Sequence, residues 1–255
     1  MLLVIDVGNT QTVLGVYDGS DLRVSWRIST DIRKSSDEFW VILRNLFREA
    51  DLDTSQVRGI CISSVVPPWQ ATLEDVCSRY FKVDPILVEP GIKTGLSILY
   101  DNPREVGADR IVNSVAGIHL YGCPLIIVDF GTATTFDAVS EKAQYLGGAI
   151  VPGLVISAEA LFQRTAKLPR VELVAPKTVI GKDTVSSMRS GLIFGYAEMV
   201  DGMVRRIRKE MGDAPRIIAT GGLASVVAAH SQEIEKVDHL LTLVGLRLIY
   251  EKNKP

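Results

Sequence analysis

Two polar turns in the sequence carry residue types that could hold a phosphate group and its metal ion. Asp6 and Gly8 directly follow one apolar run, and Asp129 and Gly131 directly follow another. A glycine after a strand lets the backbone turn tightly, so that N–H groups come close to an anion. An aspartate at the end of the strand can position a metal ion or its waters. The two turns together are therefore predicted to grip a polyphosphate and its magnesium.

The similarity between the two turns predicts a duplicated architecture. The triplet 6–8 matches the triplet 129–131, and Thr12 has the same offset from the first as Thr135 has from the second. Each turn lies between two apolar runs, and helical patterns follow both. A single turn of this kind is also typical of an ordinary hairpin with locally satisfied polar groups. The matched pair favours a duplicated α/β domain with a cleft between the halves.

The elements of the first half follow from its apolar pattern. Asp18-Gly19 is a typical hairpin turn, and Ser35 with Glu38 forms a capping-box pattern before an amphipathic helix. The predicted order is β-β-β-α-β-α, with strands at 2–6, 12–17 and 22–29, a helix near 36–50, a strand from 57, and a helix running from Pro67-Pro68 to about 81. Strands this apolar require cover on both faces of the sheet.

The second half repeats the sequence of strands and then helices. The predicted strands are at 125–139, interrupted by the polar turn, at 145–153 and at 216–222, and the predicted helices are near 154–164, 185–211 and 240–251, with a short helix before the last. The strand at 216–222 ends in Gly221 and Gly222, where small residues leave room for a flat ring such as adenosine. Junctions of this kind are, however, common in α/β folds.

A further candidate lies in the segment 101–117, where a helix is predicted to begin near Gly107. Asp109 then lies in its first turn, and Arg110 follows directly. An aspartate there can simply be a favourable charge at a helix N-terminus. Arg110 could pair with a substrate carboxylate or with a neighbouring acid. The pattern alone leaves both interpretations open.

Composition excludes several classes of function. The chain has 255 residues and a formal net charge of −2, so no basic field indicates nucleic acid or an anionic membrane. The basic run 205–209 stands beside Glu210 and is typical of a solvated helix face. No apolar run is long enough for a transmembrane helix, and no signal peptide is predicted. Three cysteines without paired spacing favour a cytoplasmic location.

The common nucleotide-binding motifs are absent from the sequence. No GxxxxGK[ST] string occurs, since the nearest candidate, 180–183, lacks both the leading glycine and the final Ser or Thr. No GxGxxG follows the first strand. The three histidines are scattered, and nothing resembles a zinc cluster. A nucleotide bound by this chain would therefore use neither a P-loop nor a dinucleotide fingerprint.

Four ordered motifs give the chain its resemblance to a known family. They are Asp6-Val7-Gly8-Asn9-Thr10, Gly107-Ala108-Asp109-Arg110, Asp129-Phe130-Gly131-Thr132-Ala133-Thr134-Thr135 and Thr220-Gly221-Gly222. Together with 147–153, 165–169 and 180–184, they resemble the type III pantothenate kinases of the acetate and sugar kinase, Hsp70 and actin superfamily. The resemblance extends over essentially the whole chain. It implies two duplicated actin-like (ribonuclease H-like) α/β domains, 1–115 and 116–255, with a nucleotide cleft between them.

The resemblance also implies a reaction and its participants. The reaction is the transfer of the γ-phosphoryl group of ATP to pantothenate, which gives 4′-phosphopantothenate and begins coenzyme A synthesis. The family uses Mg²⁺ with ATP, depends on a monovalent cation, K⁺ or NH₄⁺, and forms homodimers. We therefore expect ATP, pantothenate and a second copy of the chain as partners.

Residue roles are implied in the same way. Asp109 would be the catalytic base, Asp129 would bind the monovalent cation, and Asp6 would lie near magnesium. ATP would contact Thr132 and the first turn, formed by Asp6, Val7, Gly8, Asn9, Thr10, Gln11, Thr12 and Val13. Pantothenate would contact Tyr100, Gly107, Ala108, Asp109, Arg110 and, from the partner subunit, Thr184.

Two alternatives share many of these features. A kinase or phosphohydrolase of the same superfamily with another substrate would keep the nucleotide turns and differ around Tyr100 and 107–110. A nucleotide-dependent regulatory protein could lack kinase activity altogether, although intact Asp109 and Asp129 argue against a pseudoenzyme. The absence of a recognition-helix motif or a charge stripe also favours the kinase.

Overall fold

The computed structural model describes residues 1–212 and 214–254, which divide into two compact units. Unit 1 comprises Met1–Gly95, Asn102–Ala116 and the C-terminal residues from Leu241 onward, and unit 2 comprises Leu96–Asp101 and Gly117–Leu240. The last helix thus returns to the first unit, which a simple division of the chain between residues 115 and 116 does not anticipate. Each unit has its own sheet and its own apolar core.

Unit 1 is built on a five-stranded sheet with the order β3-β2-β1-β4-β5. Its strands are β1 Leu2–Val7, β2 Gln11–Asp18, β3 Asp21–Ser29, β4 Gly59–Ser64 and β5 Ile86–Leu87. The first three strands are antiparallel, and β4 runs parallel to β1. Apart from Asp6, β1 is buried throughout, as expected for a central strand covered on both faces.

The helices of unit 1 bury one face each against this sheet or against each other. They are α1 Ser36–Glu49, α2 Pro67–Val76, the first part of α3 Ala108–Tyr121, and α8 Leu241–Asn253. The predicted capping box is confirmed, since Ser35 and Glu38 exchange hydrogen bonds at the start of α1. α8 packs against β1, β2 and β4. At Gly245 an added Cβ would lie 2.1 Å from the Val112 carbonyl oxygen, so α8 and α3 approach closely.

Unit 2 is built on a six-stranded sheet with the order β11-β10-β7-β8-β9-β6. Its strands are β6 Ser97–Ile98, β7 Leu125–Phe130, β8 Ala133–Val139, β9 Gln144–Pro152, β10 Arg216–Gly221 and β11 Lys236–Val237. The order β9-β8-β7-β10-β11 repeats the order β3-β2-β1-β4-β5, and β6 is added at the edge. This matching order is the structural counterpart of the predicted internal repeat.

The helices of unit 2 agree with the predicted positions, with one interruption. They are the end of α3, α4 Leu154–Arg164, α5 Thr184–Ser190, α6 Tyr196–Met211 and α7 Ala224–Ala228. A π-helical turn at Gly191–Gly195 lies between α5 and α6, where the sequence predicted one continuous helix. A second π-helical turn, Cys77–Phe81, continues α2 in unit 1. The two-residue strands β5, β6 and β11 were not predicted, because so short a run carries no periodic signal.

The match predicted between Thr12 and Thr135 is wrong in register. Thr12 pairs with Val7, whereas Thr135 pairs with Asp129. The turn after β1 is one residue longer than the turn after β7, so an equal offset along the chain does not give equal positions in the sheets. Thr134, which pairs with Phe130, is the true counterpart of Thr12, and both threonines are buried.

None of the helices formed by residues 1–212 and 214–254 combines the length and the apolar character that crossing a bilayer requires.

Candidate active site

Asp6 lies where the carboxyl ends of β1 and β4 meet. It pairs with Val13 on β2 and with Ser63 on β4. Asp6 is half-buried between the buried residues of its own strand, and Ser63 is fully buried. Within the part of the chain that the structure describes, the Ser63 hydroxyl has no hydrogen-bond partner. Ligands of open α/β sheets bind at the carboxyl ends of the strands, which is where this carboxylate and this hydroxyl lie.

The first turn is held together by its own hydrogen bonds and by Thr30. The Gly8 N–H donates to the Gln11 carbonyl (3.0 Å), and the Thr30 N–H donates to the Thr10 carbonyl (3.0 Å). The Thr30 hydroxyl donates to the Gly8 carbonyl (2.7 Å) and lies 2.9 Å from the Thr12 hydroxyl. Contrary to the simplest expectation, the Gly8 N–H is thus used inside the turn rather than offered to an anion.

Exposure separates the residues of the first turn into two groups. Val7 and Thr12 are buried, and Asn9, Thr10 and Gln11 are exposed. The exposed group forms the tip of the turn and is the part that a phosphate could reach from solvent. The buried group anchors the tip to the sheet.

Asp129 occupies in unit 2 the place that Asp6 has in unit 1. It pairs with Thr135 on β8 and with Thr220 on β10. Gly221 follows with a φ of +94°, and a Cβ added there would lie 2.6 Å from Asp129 Oδ1. Only glycine fits this position, so the end of β10 lies directly against the Asp129 carboxylate.

Thr132 is exposed at the tip of the second turn, and Gly153 contacts its backbone. The Gly153 N–H donates to the Thr132 carbonyl at 3.1 Å, and an added Cβ would approach that oxygen to 2.2 Å. The neighbouring Pro152 carbonyl accepts a hydrogen bond from the buried Tyr196 hydroxyl at 2.9 Å, and that hydroxyl also lies 2.7 Å from Thr134 Oγ1. The second turn is therefore fixed by β9 and α6.

Asp109 is the second residue of α3, in the first turn of the helix as predicted. The Arg110 N–H donates to Asp109 Oδ1 at 2.8 Å, and Gly107 leaves room for this carboxylate, since a Cβ there would lie 2.6 Å from Oδ1. Burial raises the pKa of the Asp109 carboxyl above its ordinary value, although the Arg110 N–H and the Arg110 charge act in the opposite direction. Arg110 itself is buried, and its carbonyl accepts a hydrogen bond from Ser114.

Tyr100 follows the edge strand β6 and lies beside β9. The Tyr100 ring lies close to Gly147. A Cβ added at Gly147, whose φ is +123°, would lie 3.5 Å from this ring. The ring centroid of Tyr100 lies 6.3 Å from that of the buried Tyr145, whose hydroxyl donates to Asp137 at 2.8 Å. Tyr100 is thus positioned by unit 2.

Thr184 is the exposed first residue of α5. Asp183 caps this helix by accepting a hydrogen bond from the Ser186 N–H at 2.9 Å. Hydrogen bonds from the Ser186 side chain and backbone hold the pKa of Asp183 below its ordinary value. Thr184 therefore has a defined place at the end of a capped helix and a side chain open to solvent.

The predicted site residues are divided between the two units. Unit 1 contains the first turn and the segment Gly107–Arg110. Unit 2 contains Tyr100, Asp129, Thr132 and Thr184. Sequence reasoning missed Thr30, Ser63 and Tyr196, which hold or adjoin the predicted turns. Ser63 alone had a signal, since it stands near the end of a predicted buried strand, as Asp6 does.

Comparison with known proteins identifies the family. The sequence profile of the type III pantothenate kinases matches residues 2–206. A type III pantothenate kinase from Geobacillus kaustophilus is 57% identical over 253 residues, which cover 99% of this chain and 98% of that protein. Another, from Geobacter sulfurreducens, is 58% identical over 254 residues, which cover 100% of both chains.

The fold is similar to that of a solved structure described as a Baf family transcriptional activator from Campylobacter jejuni. The TM-score is 0.64 at 19% sequence identity, and the match covers 98% of both chains. At this identity the likeness concerns the fold alone. Together with the two matching sheets, it confirms the predicted fold class of duplicated actin-like α/β domains. By the profile match and by more than half identity over its full length, the chain belongs to the type III pantothenate kinase family.

Proposed function

We propose that the chain phosphorylates pantothenate with Asp109 as the base that accepts the proton of the attacking hydroxyl. The reaction follows from family membership: a type III pantothenate kinase transfers the γ-phosphoryl group of ATP to pantothenate, in the first step of coenzyme A biosynthesis. The single observation that supports the base is the carboxylate of Asp109, which is half-buried and held by the Arg110 N–H.

The proposed step needs alignment of the substrates more than covalent help from the protein. The hydroxyl oxygen of pantothenate forms a bond to the γ-phosphorus, and the bond from that phosphorus to the β,γ-bridging oxygen breaks. The hydroxyl proton passes to Asp109. A raised pKa makes this carboxylate a stronger proton acceptor than an ordinary aspartate, which favours the transfer.

The first turn is the proposed site for the ATP phosphates, with Asn9, Thr10 and Gln11 at its exposed tip. We assign the predicted contacts of Val7 and Thr12 to backbone groups, because both side chains are buried. Gly8, directly after β1, and Val13, in β2, complete the proposed contacts at the two ends of the turn. In unit 2, Thr132 is the proposed nucleotide contact at the tip of the second turn.

The carboxylates at the strand ends fit the cations that the reaction requires. An ATP-dependent kinase uses a divalent cation such as Mg²⁺, which keeps most of its waters and needs only one or two carboxylates beside the phosphates. Asp6 with the orphaned, buried Ser63 hydroxyl beside it fits a hydrated ion of this kind. Among residues 1–212 and 214–254, no three His, Cys, Asp or Glu side chains gather as a closed metal site, which the proposal does not require.

Asp129 is the proposed ligand of the monovalent cation, K⁺ or NH₄⁺. Its carboxylate is fixed by the adjacent Gly221, which gives it a defined position at the end of β7. Bound cations would neutralise phosphate charge that a P-loop lysine neutralises in other kinases. The chain's own contribution is to hold the two carboxylates rigidly at the ends of equivalent strands.

Pantothenate is the proposed ligand of Gly107–Arg110, with Tyr100 as a further contact. Arg110 is the candidate partner for the substrate carboxylate, since a guanidinium matches that group. Thr184 of a second copy is proposed to complete the pocket. The homodimer is supported by large apolar side chains that unit 2 leaves exposed, among them Ile150 at 62%, Val155 at 57% and Ile180 at 80%.

A cytoplasmic location is proposed from the cysteines. Cys61, Cys77 and Cys123 are all free thiols, as expected in a reducing compartment.

The test is ADP release with Mg²⁺-ATP and pantothenate, with K⁺ present and then replaced by Na⁺. Pantothenate-dependent turnover that needs K⁺ supports the reaction and the cation together. Asp109→Asn is expected to lose about 10²–10⁴-fold in turnover with ATP binding retained, since general base catalysis contributes that much. Glu105→Gln, an isosteric change at an exposed carboxylate four residues earlier, is the matched control.

Three results would contradict the proposal. Wild-type turnover by Asp109→Asn would contradict the assignment of Asp109 as the base. Full activity when Na⁺ replaces K⁺ would contradict the proposed dependence on K⁺ or NH₄⁺. No turnover in either salt by folded protein would favour another substrate or a nucleotide-dependent regulatory protein.

A further inference from the structure

We propose that Thr30 is a positioning residue that fixes the phosphate-binding turn of unit 1 through its hydroxyl group. The inference rests on the proposed role of the first turn in holding the ATP phosphates. Thr30 lies outside the turn along the chain, directly after β3, and it belongs to none of the four motifs that identify the family. Its role follows from three polar contacts with Gly8, Thr10 and Thr12.

The direction of these hydrogen bonds can be worked out from the single hydroxyl proton. The Thr30 hydroxyl donates to the Gly8 carbonyl at 2.7 Å. Its oxygen must then accept from the Thr12 hydroxyl, which lies 2.9 Å away. The result is a directed chain from Thr12 through Thr30 to the Gly8 backbone. Thr12 is fully buried, so water cannot readily replace the missing partner if the chain is broken.

The contacts restrain the turn just before its tip and within the tip. Gly8 stands before the exposed residues, and its carbonyl is held by the Thr30 hydroxyl. Thr10 is itself part of the tip, and its carbonyl is held by the Thr30 N–H at 3.0 Å. One residue thus fixes two carbonyl groups, those of Gly8 and Thr10, in the segment that is proposed to surround the phosphates. Rigid support of this kind determines how well a site fits its ligand before the ligand arrives.

The position of Thr30 depends on an irregularity in the β2–β3 pairing. Tyr17 pairs with Leu22, but Val16 pairs with Val24, so β3 has one extra residue, Arg23, at this point. Without the extra residue, continued pairing would bring residue 29 opposite Thr10 in place of Thr30. β-Bulges often redirect side chains beside active sites, and this one brings a threonine to the turn.

The test compares two substitutions at residue 30, one that removes the hydroxyl group and one that keeps it. Thr30→Val retains the shape and loses the hydroxyl, whereas Thr30→Ser retains the hydroxyl. The matched control is Thr72→Val, the same change at a half-buried position in α2 of unit 1. For each variant, KM for ATP, KM for pantothenate and kcat are measured, together with the Kd for ATP by calorimetry and the thermal midpoint.

Thr30→Val is expected to raise KM and Kd for ATP about tenfold, because the turn loses the two part-buried hydrogen bonds that the Thr30 hydroxyl makes with Gly8 and Thr12. KM for pantothenate should stay within about twofold of wild type, because the lost hydroxyl bonds Gly8 and Thr12 in the turn that is proposed to hold ATP. Thr30→Ser should restore ATP affinity, and Thr72→Val should leave it unchanged. A merely structural role would lower the thermal midpoint without this split between the two substrates.

Equal ATP affinity in Thr30→Val and wild type would overturn the inference, as would an equal rise in both KM values. If Thr30→Val does not fold, Thr30→Ala provides the same readout, because it removes the same hydroxyl without placing a methyl group against the Gly8 carbonyl. An unchanged ATP affinity there would equally overturn it. If the wild-type chain binds ATP but does not phosphorylate pantothenate, the proposed function is contradicted. The role of Thr30 is then still decided by comparing the Kd for ATP of Thr30→Val with that of wild type.

Discussion

Gly221→Ala is expected to disrupt the second turn through two separate effects. A φ of +94° lies in a region that costs an L-residue about 1–2 kcal/mol. The added Cβ would also lie 2.6 Å from Asp129 Oδ1 and 2.7 Å from the backbone of Phe130. Forcing an extra methyl group into a packed site costs about 1–3 kcal/mol. The free energy of unfolding should therefore fall by about 2–5 kcal/mol in total.

Gly212→Ala is the matched control, because it shares only the first effect. Gly212 ends α6 with a φ of +72°, and nothing lies within 4 Å of an added Cβ. Its substitution should cost about 1–2 kcal/mol. The difference between the two variants, about 1–3 kcal/mol, isolates the contact of Gly221 with its neighbours. In a chain of this size, that difference corresponds to about 2–12 °C in the thermal midpoint.

The assay combines thermal unfolding, followed by circular dichroism, with pantothenate-dependent ADP release in K⁺. Gly221→Ala should melt below Gly212→Ala and should lose turnover, because Asp129 must move to accommodate the methyl group. Gly212→Ala should keep turnover close to wild type. Equal melting of the two variants would refute the claim that the end of β10 constrains Asp129. Lower melting with wild-type turnover would refute the claim that the position of Asp129 matters for the reaction.

Four further outcomes follow from the same structure. Since burial raises the pKa of Asp109, the pH–rate profile should lose activity on acidification at a pH above that of an ordinary aspartate. The same shift means that the contribution of Asp109 to stability falls as the pH rises from the unfolded value of 3.8 through the folded value, so Asp109→Asn should melt no lower than wild type at neutral pH. Tyr196→Phe removes the hydroxyl that lies 2.7 Å from the buried Thr134 Oγ1 and donates to the Pro152 carbonyl, and it should cost about 1–3 kcal/mol in urea unfolding, with a fall in turnover. Burial raises the pKa of Cys61 and of Cys77 to about 12, so a thiol reagent at neutral pH should label Cys123 first and the other two only on unfolding.

Much of the fold could be predicted because the strands and helices carry strong local signals. The apolar run before Asp6, the capping box at Ser35 and the helix predicted near 154–164 each correspond to an observed element. Weak signals failed for a physical reason. A two-residue strand such as β6 has no period, and it forms only because β9 offers an edge.

The candidate site could be predicted only in part. The positions of Asp6 and Asp129 near strand ends and of Asp109 at a helix start could be predicted, because a carboxylate at such a place is conspicuous in sequence. Thr30 and Tyr196 were not found, because each acts on a residue far away along the chain: Thr30 on Gly8, and Tyr196 on Pro152. Contacts of this separation are decided by tertiary packing.

By itself, the sequence determined the two polar turns, their duplication and the order of elements around them, because each of these rests on the local pattern of a few neighbouring residues. Only the tertiary structure decided the register that joins those elements. The extra residue in β3 brings Thr30 to the first turn, and the shorter second turn makes Thr134, not Thr135, the counterpart of Thr12. Register depends on pairing between distant strands and reverses with a shift of one residue, so equal spacing in sequence cannot establish it.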